Sequence, residues 1–427
     1  MALATFRTFV GVAKEATPGT AVAATDFVTI TADPKTIDTY KKLDDKSFRG
    51  SAVETYAKIP AQRTGELSLD GNVNPATIGY LLGSLLPDLV TTATAAPTGL
   101  TGTASSGGTF AAATYFWKAT ALFGTGETGG SAEFSLAVTL NQQVALTWNT
   151  TPGASGYKVY RGTSAGAENV LVATVGPAGA YTDTGTAGVA ATVPGSSTAP
   201  TNAHTFSCKN NTDGQPTSFT FSDFDGDVTR AFAGSKISDL GIKFSADGLL
   251  TFTSKISSWA SVTLSTPTPS YSTVLPIAAY TGQLMVNGVK AANIMSADLT
   301  LKRKVEFLQT VQGTQDPYAL FSGALGLTGK FTAVMLASDP MLAKIGNSSA
   351  VGSADIYALS FTAGATTLVF QMTSVAYDKV YPVRSKDYVE LDVEFTAVGN
   401  TTDAGATAGY SPCKVFLGNS VASGTYQ

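Results

Sequence analysis

One seven-residue pattern, G-x-L-x-L-x-G, occurs twice in the chain, as Gly65-Glu-Leu67-Ser-Leu69-Asp-Gly71 and as Gly323-Ala-Leu325-Gly-Leu327-Thr-Gly329. A polar residue and a proline follow each copy, as Asn74-Pro75 and Asp339-Pro340, and such a pair favours the start of a helix. Matched strands leading to matched helices predict a duplicated β domain with one short helix in each copy. Coincidence in a chain rich in glycine and leucine is the alternative.

Apolar and polar residues alternate strictly in the second half of the chain. The apolar positions are Leu299, Leu301, Val305 and Phe307 in one stretch, and Val389, Leu391, Val393 and Phe395 in another. A period of two places the apolar side chains on one face of a strand and the polar side chains on the other. We therefore expect a mainly β protein whose sheets have one buried face and one wet face.

The density of charged residues drops at about residue 93 and recovers at about residue 200. Only seven of the 27 basic and 31 acidic residues of the chain lie between these points. Turn-rich runs at 91–97 and 194–200 bound the segment. This composition predicts a separate domain inserted after the helix of the first β copy.

Strand signals recur at short spacing inside the insertion. Val144, Leu146 and Trp148 share one face of a predicted strand, and the Trp148 indole is large enough to anchor the core of a small sandwich. The segments VALTW, PGASGYKVYRGTS and YTDTG resemble a fibronectin type III or immunoglobulin-like module. The block TYFWKATALFGTGETGGS resembles its paired-strand signature but stands before the other segments. The resemblance implies an inserted β-sandwich of a kind that binds or decorates.

The composition excludes several classes of function. The 427 residues are 44% hydrophobic and 14% charged, with a formal net charge of −4, so we expect no sequestration of nucleic acid by a basic surface. His204 is the single histidine, and Cys208 and Cys413 are the two cysteines. A multi-histidine metal site, a four-cysteine zinc site and a disulfide framework are therefore excluded. We expect no cofactor and no metal, and although the two thiols could pair, we expect them free and buried.

Three motifs match catalytic or metal-binding patterns only in part. Residues 124–129 satisfy G-x-G-x-x-G, but strand-like residues rather than a helix follow them. Residues 162–166 satisfy G-x-S-x-G, but neither a helix nor a nearby histidine accompanies them. The acidic run at 223–227 has Gly234 where an EF-hand loop needs an acid. We expect turns at all three places and no enzymatic activity.

The hydrophobicity pattern of the sequence does not predict a targeting signal either. Residues 1–20 have no continuous apolar core, and the apolar stretch at 78–90 is interrupted by Pro87 and Asp88. We therefore expect neither a signal peptide nor a membrane span, and synthesis in a cytoplasm.

Three flanking segments resemble the major tail tube proteins of long-tailed, siphovirus-like bacteriophages. They are FVGVAKEATPGTAVAATDFV at 9–28, HTFSCKNNTDGQPTSFTF with GSKISDLGIKFSADGLLTFTSKISSW at 204–259, and IMSADLTLKRKVEFLQTVQGTQDPYALFSGALGLTGKFTAVM at 294–335. The resemblance implies β domains whose sheets join edge to edge into rings around a lumen. Rings stacked through extended loops would form the tube of a non-contractile virion tail, assembled in the host cytoplasm, through which the genome is ejected.

The resemblance also implies the domain division and the partners. Residues 1–92 and 201–265 would form the first tube domain, 93–200 the insertion and 266–427 the second tube domain. Six tube domains per ring would then need three chains, a pseudo-hexameric homotrimer; one elaborated tube domain per chain and a true hexamer is the alternative. Implied partners are other copies of the chain, the tape-measure, tail terminator and tail tip proteins, and DNA in transit, but no membrane.

Two sets of residues are candidates for the working surfaces of such a tube. Acidic and small polar side chains would let DNA slide without sticking, because they offer its phosphates no positive charge. The candidate lumen-facing residues are Glu66, Ser68, Asp70, Glu390, Asp392 and Glu394. The candidate inter-ring loop contains Lys41, Lys42, Asp44, Asp45, Lys46 and Arg49, a mixed-sign cluster that could equally be a solvated loop.

A different class of function is the alternative: an adhesin that binds carbohydrate or a cell surface through the inserted module. Such a platform needs exposed aromatic side chains. Trp117, Tyr157 and Tyr160 are the candidates, and packing in the core of the module is the competing role for them.

Overall fold

The computed structural model describes residues 5–211, 213–287, 289–291, 293–336, 355–384 and 386–427. Within these ranges the protein is mainly β, which confirms the predicted fold class. The elements before the insertion are a 3₁₀ turn (Thr5–Arg7), β1 (Phe9–Lys14), β2 (Asp26–Val28), β3 (Lys35–Asp45), β4 (Ala57–Asn72), α1 (Ile78–Leu85) and β5 (Asp88–Ala93).

The insertion consists of nine strands in two sheets. The strands are β6 (Thr98–Ser106), β7 (Ala113–Phe123), β8 (Gly126–Glu127), β9 (Phe134–Val138), β10 (Gln142–Asn149), β11 (Gly156–Gly162), β12 (Val170–Val175), β13 (Ala180–Asp183) and β14 (Val189–Ala190). A three-stranded sheet, β13-β10-β6, and a six-stranded sheet around β7 and β11 enclose a core of their own. The alternation of Val144, Leu146 and Trp148 is as predicted, since all three side chains are buried in that core. The immunoglobulin or fibronectin assignment stays a prediction.

The chain after the insertion is again almost entirely strand. Its elements are β15 (Asn202–Ser207), β16 (Phe219–Phe224), β17 (Thr229–Ser245), β18 (Thr251–Ser258), β19 (Val262–Leu264), a 3₁₀ turn (Ala279–Thr281), β20 (Gln283–Val286), β21 (Val289–Ala291), β22 (Ile294–Leu308), β23 (Ala319–Val334), β24 (Tyr357–Ala363), β25 (Thr366–Met372), β26 (Val375–Val383), β27 (Glu390–Ala397) and β28 (Lys414–Asn419).

A continuous row of eight antiparallel strands forms the main sheet, in the order β3-β4-β18-β17-β22-β23-β27-β26. We call it the long sheet. The first half of β17 branches from this row and pairs with β16, which continues to β1 and β2, and with β19.

The two halves of the long sheet have the same connections. In the first half, the hairpins β3–β4 and β17–β18 join through their second strands, β4 and β18. In the second half, the hairpins β22–β23 and β26–β27 join through β23 and β27. The halves meet where β17 pairs with β22. Four strands, connected in the same way, therefore occur twice in one sheet.

The repeated glycine pattern occupies equivalent places in these halves. Gly71 lies opposite Phe252 across the β4–β18 pair, and Gly329 lies opposite Phe395 across the β23–β27 pair. A Cβ atom at either glycine would overlap the ring of the facing phenylalanine. The last glycine of each copy is therefore needed because an aromatic ring covers its backbone.

A seven-stranded sheet, β21-β20-β24-β25-β28-β15-β5, packs over the apolar face of the long sheet. One continuous hydrophobic cluster lies between them and includes residues from both sides of the insertion, among them Leu69, Phe206, Phe331 and Leu417. Strands from both predicted tube domains thus contribute to the same sheets and core. The division into two tube domains stays a prediction.

The helix α1 is completely buried against this core. It begins later than predicted, because Thr77 rather than Asn74 is its N-cap residue. Asn74 instead accepts a hydrogen bond from the backbone N–H of Ala76 through its side chain and so closes the turn that precedes the helix. The second predicted helix, after Asp339-Pro340, lies outside the described residues.

The insertion leaves and rejoins the flanks at one point. Its neighbouring strands β5 and β15 pair with each other, with Ala93 opposite Asn202, and a further backbone bond joins Thr94 to Thr201. The module also contacts the seven-stranded sheet, because the N–H of Thr125 donates to the carbonyl of Gly364. Its two connections therefore start a few ångströms apart, as the two ends of a hairpin do.

Two cations are buried near the end of α1. Arg303 is 9% exposed and donates only to three backbone carbonyl groups. Lys236 is 8% exposed and donates from Nζ to Oε1 of Gln215 at 2.8 Å. Burial, together with the charge of Arg303, lowers the pKa of Lys236 to about 8. The ammonium of Lys236 is therefore a destabilising charge at neutral pH.

Replacing Lys236 by methionine is expected to stabilise the fold at pH 7 by about 1–2 kcal/mol, since it removes a buried charge that has no close counter-ion. The folded-state pKa lies below the ordinary lysine value, so the folded wild type binds fewer protons than the unfolded chain between about pH 8 and pH 10.5. Wild-type stability rises through that window, and the advantage of Lys236→Met shrinks.

Denaturant unfolding at pH 7 and pH 10 measures both effects. Lys255→Met, at an exposed position on β18, is the control and should change little. Equal stability of Lys236→Met and the wild type at pH 7 would contradict this account.

Candidate functional surfaces of the long sheet

Strict alternation gives the long sheet one apolar and one polar face. On β4, Leu67 and Leu69 point into the core, and on β27 Leu391, Val393 and Phe395 do the same. The six predicted lumen-facing residues lie between these positions, so all of them belong to the opposite, polar face: Glu66, Ser68, Asp70, Glu390, Asp392 and Glu394. The structure thus places on one face of one sheet two groups that are more than 300 residues apart in the sequence, on β4 and β27 with four strands between them. We call this surface the polar face.

Exposure differs among these six residues. Glu66, Asp70 and Glu394 are exposed, whereas Glu390 is only 8% exposed. Glu390 accepts a hydrogen bond from Nζ of Lys386 at 2.6 Å. Glu390 is therefore engaged within its own chain and contributes little free negative charge to the polar face.

Lysines share the polar face with these acids. Nζ of Lys243 lies 3.3 Å from Oδ2 of Asp298, and Nζ of Lys302 lies 3.9 Å from Oδ2 of Asp239. Both pairs bridge β17 and β22, the strands at which the two halves of the sheet meet. The residues predicted to line a neutral-to-negative wall did not include these lysines. Lys302 was visible in the sequence, because it occupies a polar position of an alternating stretch.

The polar face is concave. A cleft of about 480 Å³ opens on it and spans five neighbouring strands, from β17 to β26. Its lining includes Lys243, Lys330, Tyr381 and Asp392. Asp392 accepts hydrogen bonds from the hydroxyls of Thr332 at 2.8 Å and of Tyr381 at 2.9 Å. These five strands of the long sheet therefore curve towards their polar side.

The hairpin of β3 and β4 extends beyond the rest of the sheet. We call its outer part, residues 41–62, the arm. Both faces of the arm are largely exposed, and it carries the apolar side chains Leu43, Phe48, Val53 and Ile59, each at least half exposed. Grouped exposed apolar side chains of this kind mark protein–protein contact sites.

The predicted inter-ring loop lies on this arm, but most of it is strand rather than loop. Lys41, Lys42, Asp44 and Asp45 belong to β3, and only Lys46 and Arg49 follow the end of the strand. The prediction was wrong in this respect, because the mixed charges of the cluster pair across the hairpin and support strand structure.

Ion pairs within the arm use most of these charges. Lys46 pairs with Glu54 at 2.7 Å, Lys58 with Asp44 at 3.8 Å, and Arg49 with Asp45. Hydrogen bonds from Ser47 lower the pKa of Asp45, which keeps that carboxylate ionised. Four of the six charged side chains of the cluster are thus paired inside the arm, whereas its exposed apolar side chains have no packing partner among the described residues.

The base of the arm is fixed to the hairpin of β22 and β23. Arg63 donates to both carboxylate oxygens of Asp316, at 2.6 and 2.7 Å, and its backbone N–H donates to the carbonyl of Gln315 at 3.0 Å. The hydrogen bond with Asp316 raises the pKa of Arg63. A two-pronged bond of this geometry holds the direction of the arm. Sequence reasoning missed it, because the two residues lie on hairpins that only the tertiary fold brings together.

The aromatic residues considered for a glycan platform are all buried. Trp117 and Tyr157 are completely buried and Tyr160 is 2% exposed. The Trp117 indole N–H donates to Asp183, and the Tyr160 hydroxyl donates to Glu127. Trp117 and Tyr157 pack in the core of the insertion and Tyr160 is buried beside Glu127, so none of the three offers a stacking surface for a sugar.

The partial motifs of the sequence form turns, as predicted. Residues 124–125 make the tight turn from β7 to β8, which itself consists of Gly126–Glu127, and residues 163–166 follow the end of β11 at Gly162. Within the acidic run, Oδ1 of Asp225 accepts hydrogen bonds from the N–H groups of Asp227 and Val228 and closes the β16–β17 hairpin. Asp223 is buried and pairs with Arg230 at 2.7 Å.

The single histidine is part of the core. His204 contacts Thr91 through Nδ1 at 2.9 Å and Asn419 through Nε2 at 3.0 Å, and burial lowers its pKa. Cys208 and Cys413 are free thiols, as expected; Cys413 is fully buried and Cys208 partly so. In the described parts of the chain, no three histidine, cysteine, aspartate or glutamate residues are grouped closely enough to hold a metal ion. The same residues contain no helix with the length and hydrophobicity of a membrane span.

Comparison with known proteins gives one family. Residues 211–397 match the family model described as phage tail tube protein. The matched region contains six of the eight strands of the long sheet, all except β3 and β4. No curated protein matches the chain. The matched region, somewhat less than half of the chain, is therefore similar to phage tail tube proteins.

Proposed function

We propose that this protein is the major tail tube protein of a non-contractile phage tail, and that it polymerises as stacked rings around a channel for DNA. The observation that carries the proposal is the long sheet with two free ends. Among the described residues, β3 has a strand partner on one side only, β4, and residues 378–383 of β26 have one on one side only, β27. Unpaired strand edges expose rows of backbone N–H and C=O groups, which another strand can satisfy.

The joint between the two halves of the sheet is a model for the contact between chains. Since β17 and β26 hold equivalent places, and β22 and β3 do as well, the antiparallel pairing of β17 with β22 would recur between β26 of one chain and β3 of the next. Such a contact is head-to-tail, and it closes into a ring when the rotation between neighbours divides a full turn.

Three chains are the proposed ring. Each chain supplies two four-stranded halves, so a trimer has six, which agrees with the pseudo-hexameric arrangement expected from the resemblance. Twenty-four strands at about 4.8 Å spacing and a tilt of about 40° make a barrel roughly 48 Å across at the backbone. Barrels with fewer strands than this already leave an aqueous channel.

The concave side of the sheet would face this channel. That side is the polar face, with the candidate lumen residues Glu66, Ser68, Asp70, Glu390, Asp392 and Glu394, whereas the seven-stranded sheet and the insertion lie on the other side. The arm would reach the adjacent ring with its apolar side chains. The tape-measure protein and DNA would contact the polar face, and terminator and tip proteins would contact the terminal rings.

Image reconstruction of assembled tubes tests the proposal. We expect three outer lobes per ring, one for each insertion. Deleting residues 94–198 and joining the ends with a short Gly/Ser linker should remove the lobes and leave the tube, because β5 and β15 then form an ordinary hairpin. Six lobes per ring would rule out the trimer, and a folded chain that forms no ring or tube under any assembly condition would contradict the function.

Substitutions at the end of the arm should separate ring stacking from folding. Phe48→Ser with Val53→Ser removes exposed apolar side chains, so the thermal stability of the isolated chain should change by less than about 0.5 kcal/mol. Tube length, measured by electron microscopy, should fall to single rings or short stacks. Leu140→Ser, at an exposed position of the insertion, is the matched control and should leave tube length unchanged. Normal tubes from the arm variant would exclude the arm as the stacking contact.

A further inference from the structure

The charges of the polar face are ordered in two rows that run across the strands. In the first row, Asp239 of β17 lies between Lys255 of β18 and Lys302 of β22. The second row crosses β17, β22, β23, β27 and β26, and its members, in order, are Lys243, Asp298, Lys330, Glu394 and Lys379. Each neighbour in either row has the opposite sign.

Distances show ion pairs for three of the five lysines in the rows; Lys255 and Lys330 lie opposite acids in register without a close ion pair among the described residues. Besides Lys243 with Asp298 and Lys302 with Asp239, Nζ of Lys379 lies 4.0 Å from Oε1 of Glu394. The lysine side chains themselves are more than half exposed, so burial does not remove them from contact with a ligand.

We propose that the alternating rows mask these lysines from the phosphate backbone of duplex DNA, so that the polar face passes DNA without holding it. This inference rests on the proposed tube function and concerns the same surface. An ammonium group paired with a carboxylate gains little from a phosphate, because binding would leave the carboxylate unpaired. Binding of the ammonium to a phosphate would release a condensed counterion from DNA, but the carboxylate left unpaired would recruit a counterion in turn. The net release of counterions is therefore close to zero.

The geometry of the rows strengthens the masking. Strands are about 4.8 Å apart, so the sign of the charge repeats about every 10 Å along a row. The field of an alternating row cancels within a distance shorter than its own repeat. A polyanion that stays one hydration layer away therefore meets only the excess of one lysine in each row, which the other acids of the polar face offset, whereas unmasked lysines would act over the Debye length of about 8 Å.

The rows have a further consequence for the acids of the face. Asp298 and Glu394 serve mainly to neutralise lysines, while Glu66, Asp70 and Asp392 belong to neither row and supply the remaining negative charge. The polar face is therefore balanced rather than uniformly acidic.

Removing the two acids of the second row tests the masking in the unassembled chain. The variant Asp298→Asn with Glu394→Gln leaves Lys243, Lys330 and Lys379 unpaired. We expect it to bind a short DNA duplex in fluorescence anisotropy at about 50 mM salt, where the wild type does not. With three phosphate contacts, the affinity should fall about 40-fold between about 50 and 200 mM salt.

Two control variants separate masking from net charge. Asp33→Asn with Asp247→Asn changes the net charge by the same amount at exposed positions outside the rows and should bind no DNA. Adding Lys243→Gln, Lys330→Gln and Lys379→Gln to the acid-neutralised chain should abolish its binding. Glu394→Gln alone, at an exposed site, provides a folded variant if the double substitution does not fold.

Binding by the acid-neutralised variant but not by the controls supports the proposal. Binding no tighter than that of the wild type, in a variant with an unchanged far-ultraviolet spectrum, overturns it. Because the assay uses single chains, its result does not depend on tube formation. Failure of the tube function would appear in images of the wild type instead.

Discussion

The rest of the structure depends on one constraint, the need to satisfy the backbone groups at the two ends of a long antiparallel sheet. In the described part of the chain, eight strands in a row leave β3 and residues 378–383 of β26 with a strand partner on one side only. An exposed edge of this kind promotes aggregation unless a defined partner covers it. If β26 of one chain paired with β3 of the next, both exposed edges would be covered. The antiparallel pairing of β17 with β22 is the model for this contact.

The curvature of the sheet determines which side such a closure would enclose. Residues on the apolar face bind the seven-stranded sheet, so the polar face is left open and concave. Gly71 and Gly329 allow the facing phenylalanine rings to lie flat on the strand at equivalent places of both halves. The insertion contacts the seven-stranded sheet, which packs on the apolar face.

The sequence predicts the parts of this architecture that depend on local periodicity. Alternation around Leu299 and Leu391 identifies strands and their buried faces, and the drop in charge at about residues 93 and 200 agrees with the limits of the inserted sheets. The start of α1 was misplaced by three residues because Asn74 caps a turn rather than the helix. Local patterns could also identify the acids of the polar face.

Contacts between distant strands could not be predicted in this way. The pairing of Arg63 with Asp316, and the order of lysines and acids across five strands, depend on register, which only the folded sheet defines. The interleaving of strands from both flanks in the seven-stranded sheet has the same origin. The arm was predicted as a charged loop because its charges are conspicuous in the sequence, whereas its exposed apolar side chains become evident only in three dimensions.

Hydrogen–deuterium exchange of the two edge strands tests the central claim most directly. The experiment compares amides of β3 (Lys35–Asp45) and β26 (Val375–Val383) in the unassembled chain and in assembled tubes. Closure of the ring through these edges predicts that exchange slows in both strands on assembly, while exchange in the central strand β23 changes little. Equally fast exchange of β3 and β26 in free chains and in tubes would contradict the account.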